Sequence, residues 1–121
     1  DTVTADKTHR GHAVIEQVHA DLKNGPLAHL PSGVFTANSA WLVLAVIAFN
    51  LTRTAGILAD HAGRLAKATT ATIRRTLINV PARLARSARR ITLHLPEAWP
   101  WEPAFTRLFA ITHAPPPAAT T

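Results

Sequence analysis

The residues best equipped for chemistry lie in the run HRGHAVIEQVHADLK, residues 9–23. Wound as a helix at ~100° per residue, this run sets His9, His12, Glu16, His19 and Lys23 on one narrow stripe. Val14, Ile15, Val18 and Leu22 fall on the opposite side. One side can pack on a core while the other lines up a carboxylate, imidazoles and an ammonium group. Charged residues in line on a helix are also the ordinary pattern of a solvated face, and spacing alone leaves that reading open. Glu16-x2-His19 has the spacing of a di-metal carboxylate bundle, but such bundles need a second copy, and neither Glu97 nor Glu102 has a histidine three residues on. Cysteine is absent and no HExxH run or zinc-finger spacing occurs, so His29, His61, His94 and His113 are read as surface or loop histidines.

The elements that must position these groups follow from periodicity and breakers. Residues 1–8 read as a loop leading into a helix over about 9–24. Asn24-Gly25-Pro26 ends that helix, with Gly suited to the left-handed residue after the last turn. Residues 27–33 form a connector, and a long helix is predicted over about 36–60, capped by Thr36 or Asn38. Its first half is apolar all round, with Trp41, Leu44, Ile47 and Leu51 along one side; Gly56 and Gly63 weaken its far end. The run AWLVLAVIAF is ten residues, against ~18 or more for a spanning helix, so a buried core helix is expected and no membrane partner. Asn50 is a polar group in this apolar setting, in need of partners if buried.

A short helix over about 69–79 carries Arg74 and Arg75 and stops at Pro81. Ile91, Leu93 and Leu95 alternate with Thr92 and His94, the pattern of a half-buried strand. A hairpin over about 82–95, turning near residues 87–90, fits best, although Leu77, Leu84, Ala88 and Ile91 also approximate a helical spacing. The connector PEAWPWEP leads to a last helix over about 104–112, which offers Phe105, Leu108, Phe109 and Ile111 to the core. The Pro- and Ala-rich tail, residues 114–121, reads as disordered.

With 121 residues, 47% of them hydrophobic, the chain suits a single domain with a modest core. Without cysteine it has no disulfide and no thiolate metal site, in keeping with the cytoplasm. No secretory signal fits the polar, acidic N-terminus. The absence of methionine suggests a fragment of a longer protein. The formal net charge is +6 and the pI about 11.4. Its distribution says more: residues 1–60 hold four basic groups and five acids, whereas residues 64–90 hold eight basic groups and no acid. Such a one-sided field favours a polyanion by releasing its condensed counterions, with an ordinary solubilising surface as the other reading.

The order His9-x2-His12-x3-Glu16-x6-Lys23 resembles the Tyr-x2-Arg-x3-Glu-x6-Lys signature of bacterial insertion-sequence transposases, DDE enzymes of the ribonuclease-H-like superfamily. Glu and Lys match; His stands where Tyr and Arg are usual, with Arg10 available as a cation. The run HR-x-HA-x2-E followed by LPSG, F-x2-NSAW and AFNL is similar to the high-GC branch of that group, over about residues 9–109.

The resemblance implies a mainly α fold with a small β-hairpin, the C-terminal portion of a ribonuclease-H-like catalytic domain lacking most of the central sheet. It implies cutting and joining of DNA at insertion-sequence ends by metal-dependent phosphoryl transfer, in the cytoplasm and at the nucleoid. Glu16 would be the third acidic ligand of a Mg²⁺ or Mn²⁺ pair and the catalytic residue. Lys23 would hold a backbone phosphate, with His9, Arg10 and His12 as further DNA contacts. Arg74, Arg75, Arg83, Arg86, Arg89 and Arg90 would add DNA affinity. The two aspartates of the triad have no counterpart among Asp1, Asp6, Asp21 and Asp60, so the chain alone is expected to be inactive and to need an N-terminal part, in a synaptic complex that can be a homodimer. The alternative is a stand-alone basic helical DNA-binding module.

Overall fold

A computed structural model describes residues 1–114, apart from the side chains at positions 7 and 10–13. The tail expected to be disordered lies, beyond its first residue, outside the described residues. The chain is mostly helical with a two-stranded antiparallel hairpin, and it divides into two compact units, residues 1–52 and 53–121.

In the first unit, α1 runs over Thr2–Lys23. The expected leader loop is therefore helical. Asp1 caps it, its Oδ1 accepting from the Val3 backbone N–H at 3.2 Å, and a carboxylate there satisfies a first-turn donor that has no helical partner. The helix stops at Asn24, whose own backbone N–H still donates to Ala20. Gly25 does not take the left-handed conformation, since no described glycine has positive φ. Pro26 instead ends the ladder, and the Trp41 indole N–H donates to its carbonyl at 2.9 Å. The connector is also tied to the next helix by Asn38, whose Nδ2 donates to the Ser32 carbonyl at 2.7 Å while its Oδ1 accepts from the Ser32 N–H. Asn38 thus clasps the connector and does not cap the helix end.

Helix α2 spans Phe35–Ala59, the part from Arg53 onward belonging to the second unit. The expectation of a buried core helix fails: Phe35, Leu44, Ile47 and Leu51 are exposed, and among its residues only Ala45, Gly56 and Ala59 are buried. Asn50 is exposed as well, so its amide is open to solvent and needs no protein partner. By length and composition α2 would suffice to cross a membrane; the helix is longer than the ten-residue apolar run at its centre.

The second unit has its core in Ala59, Leu65, Ile73 and Leu77, on which Trp99, Trp101, Phe105 and Leu108 pack. After α2 a short 3₁₀ turn, Leu65–Lys67, delivers Leu65 fully buried. Helix α3 (Thr70–Ile73) opens with Thr69 as cap and continues directly into a π turn, Arg74–Ile78. Ile73 and Leu77, four residues apart, both face the core while Arg74 and Arg75 remain exposed. Strands β1 (Arg83–Ser87) and β2 (Arg90–His94) pair antiparallel around a turn at Ala88 and Arg89. Strand β2 is exposed along its whole length, not half-buried as the alternation predicts. Helix α4 spans Glu102–His113; Phe105 and Leu108 face the core, whereas Phe109 and Ile111 are exposed.

Candidate nucleic-acid interface

Glu16, His9, His19 and Lys23 are all exposed on α1. The helix is continuous from Thr2 to Lys23, so the stripe holds as a geometric object. Glu16 and Lys23 are seven residues apart, about 20° around the axis and ~10 Å along it. Arg10 and His12 belong to the same helix, but their side chains are outside the described residues. Asp21, half-buried, stands about 140° around the helix from Glu16. Among the described residues no three His, Cys, Asp or Glu side chains gather where they could hold a metal ion. The donors present therefore do not fit a two-metal centre on their own: Glu16 is a single carboxylate on an open helix face.

The basic segment is organised by two side chains that the sequence reading passed over. Arg53, near the end of α2, donates from Nη2 to the Ala66 carbonyl at 2.9 Å and from Nη1 to the Ala68 carbonyl. Asp60 accepts on Oδ2 from the Leu65 backbone N–H at 3.1 Å. Together they fold the loop after α2 back on the helix and seat Leu65. A planar guanidinium suits this because it offers several donors in a fixed fork to two neighbouring acceptors. Gly56 and Gly63 also have positive roles. A Cβ at Gly56 would lie 2.6 Å from Ile73 Cδ1 and 2.9 Å from the Leu65 carbonyl oxygen, and one at Gly63 would collide with the Asp60 carboxylate.

All eight cations of residues 64–90 are exposed. Arg64 lies over the Trp101 ring, 5.8 Å from its centroid, a cation–π contact that anchors it to the core rim. The hairpin divides the others. Register pairs Arg83 with His94, Ala85 with Thr92 and Ser87 with Arg90, while Leu84 faces Leu93 and Arg86 faces Ile91. Paired residues share a face and successive ones alternate. Arg83 and Arg90 thus lie on one polar face with Ser87, Thr92 and His94. Arg86 lies on the other, with Leu84, Ile91 and Leu93. Arg89 occupies the turn. The four hairpin arginines do not form one surface.

The exposed, acid-free run of cations between residues 64 and 90 is a field that a polyanion can meet. The chain belongs to the family described as transposase DDE domain group 1, whose model matches residues 4–116. Comparison with curated proteins and with solved structures found no match.

Proposed function

We propose that the chain carries the glutamate helix and the C-terminal part of the catalytic domain of an insertion-sequence DDE transposase. The observation that carries this is the family match, which takes in α1, α2, the cationic segment and α4 together. The finer reading rests on the residues: a ribonuclease-H-like domain of the Tyr-x2-Arg-x3-Glu-x6-Lys group, high-GC branch, with His9 and His12 at the Tyr and Arg positions. Glu16 serves as the acidic member of the triad that comes last in the chain. Lys23, about two turns on, holds a phosphate of the cleaved strand, and His9, Arg10 and His12 flank it. Bound Mg²⁺ or Mn²⁺ would supply activation of the attacking oxygen and stabilisation of the leaving one. The described residues do not complete a site for it, so the two aspartates come from a part of the transposase upstream of α1. The protein acts in the cytoplasm at the nucleoid, and synapsis of two ends is the step at which a homodimer would form.

The other reading is a basic DNA-binding module without catalysis, favoured by the exposure of all the cations between residues 64 and 90. End cleavage and end binding, measured side by side in the complete transposase, separate the two. Glu16→Gln keeps side-chain size and removes the charge; cleavage should be abolished and end binding kept. Lys23→Ala should slow strand transfer and leave metal binding intact. Cleavage by Glu16→Gln at the wild-type rate would refute the catalytic reading and leave the module.

A further inference from the structure

We infer that the hairpin binds double-stranded DNA through one face only: the Arg83–Arg90 face lies in the major groove, and Arg86 takes no part. This rests on the reading of residues 64–90 as a DNA-binding segment and says which of its cations act. Three observations carry it. First, the register puts Arg83 and Arg90 on a face shared with Ser87, Thr92 and His94, every one of them exposed. Cations and short hydroxyls together supply donors for phosphates and base edges.

Second, the opposite face is occupied differently. Ile91 and Leu93 line a cleft of about 540 Å³ with Phe105 and Phe109 of α4, and Glu97 and Glu102 also line it; of the polar face only Thr92 reaches its edge, and neither Arg83 nor Arg90 does. A polyanion approaching from that side would meet apolar surface and two carboxylates. Arg86, sharing that face, is turned away from any duplex held by Arg83 and Arg90.

Third, the shape and composition select the ligand. Five-residue strands give a ribbon ~17 Å long, and a two-stranded ribbon enters a major groove ~12 Å wide but not a minor groove ~6 Å wide. The deep, narrow major groove of duplex RNA excludes it. The polar face has no Phe, Tyr or Trp, the stacking platform on which single strands are held, so a duplex is the better partner than a single strand.

The test is fluorescence anisotropy of the 121-residue chain on a random-sequence DNA duplex over a salt series, for wild type, Arg83→Ala, Arg90→Ala and Arg86→Ala. Far-UV circular dichroism checks that each variant folds as wild type does. Arg83→Ala and Arg90→Ala should each lower the slope of log K against log salt by about 0.9, and Arg86→Ala should leave it unchanged. For wild type, methyl green, which occupies the major groove, should displace the protein; netropsin, which occupies the minor groove, should not. A matching RNA duplex should compete poorly. If Arg86→Ala costs as much as the other two, or netropsin displaces the protein, the face assignment is overturned while DNA binding by the segment stands. If wild type binds no duplex at low salt, the DNA-binding reading of the segment falls and the face assignment with it.

Discussion

Replacing Gly56 by alanine adds one methyl group at the closest approach in the second unit. The new Cβ would stand 2.6 Å from Ile73 Cδ1 and 2.9 Å from the Leu65 carbonyl oxygen. Ile73 and Leu65 are both fully buried, so neither can swing away without displacing a neighbour. The backbone oxygen is the harder obstacle, because the loop that carries it is pinned by Arg53 and Asp60. Overpacking of this kind costs about 1–3 kcal/mol, and alanine returns about 1 kcal/mol of helix propensity over glycine. A net loss of up to about 2 kcal/mol is expected, enough to speed exchange of the Leu65 and Ile73 amide hydrogens by up to about 30-fold, read by hydrogen–deuterium exchange. Ile73→Val removes Cδ1 and should rescue part of the loss in the double variant, but not the share due to the carbonyl. Gly33, whose Cβ would meet nothing within 4 Å, is the control: Gly33→Ala should stabilise by about 0.4–1 kcal/mol. Should Gly56→Ala slow exchange at Leu65 and Ile73, the close approach is not real and the packing argument fails.

The remaining predictions concern the pinned loop and the hairpin. Arg53→Ala should destabilise the second unit by about 2–3 kcal/mol in urea unfolding, since two part-buried carbonyls lose their donors; Arg53→Lys should recover less than half, because an ammonium is a point charge without the fork. Gly63→Ala should reproduce the effect of Asp60→Ala in thermal melts, and the double variant should be no worse than either alone, because the new Cβ acts by displacing the Asp60 carboxylate. Ala88 sits at φ 52°, where an L side chain is strained, so Ala88→Gly should stabilise the hairpin by about 0.5–1 kcal/mol, visible as slower amide exchange across β1 and β2.

Elements with a strong local period were legible in the sequence; those decided by one contact were not. The hairpin could be read because Ile91, Thr92, Leu93 and His94 alternate, and the helices because their apolar steps run for several turns. Residues 2–8 carry no apolar stripe, and nothing but the Asp1 cap marks the true start of α1. The segment after Thr69 has the period of one regular helix, but its second half widens into a π turn, for which the sequence pattern holds no signal. The Arg53 and Asp60 contacts join residues thirteen, fifteen and five positions apart, a separation at which periodicity carries no signal. At the candidate site, spacing gave the stripe on α1, but the split of the hairpin arginines needed the strand register. Had the strands paired one residue out, Arg86 would have changed faces.

Metal ligands must be held to a fraction of an ångström, and an exposed helix face does not do that by itself. The opposite stripe of α1 is where such holding would come from. Leu22 is buried, but Val14 and Ile15 are 59% and 55% exposed, nearest in sequence to the carboxylate they would have to support. Covering a Val or Ile side chain contributes about 1.5–3 kcal/mol, so a layer on those two alone would match a sizeable part of a small domain's stability. Helix α2 has the same character, with Leu44, Ile47 and Leu51 uncovered along one side. The end of α1 that bears Lys23 is fixed by Leu22 and the Pro26–Trp41 contact, whereas the middle that bears Glu16 is not. A surface that covers Val14 and Ile15 would steady the middle of α1 and so the backbone that carries the carboxylate, while Glu16 itself stays on the opposite side of the helix. Under the transposase reading, the part that brings the aspartates must reach the Glu16 side of α1, whereas the part that steadies the helix must cover the Val14 and Ile15 side, so completing the triad takes contacts on both sides of α1.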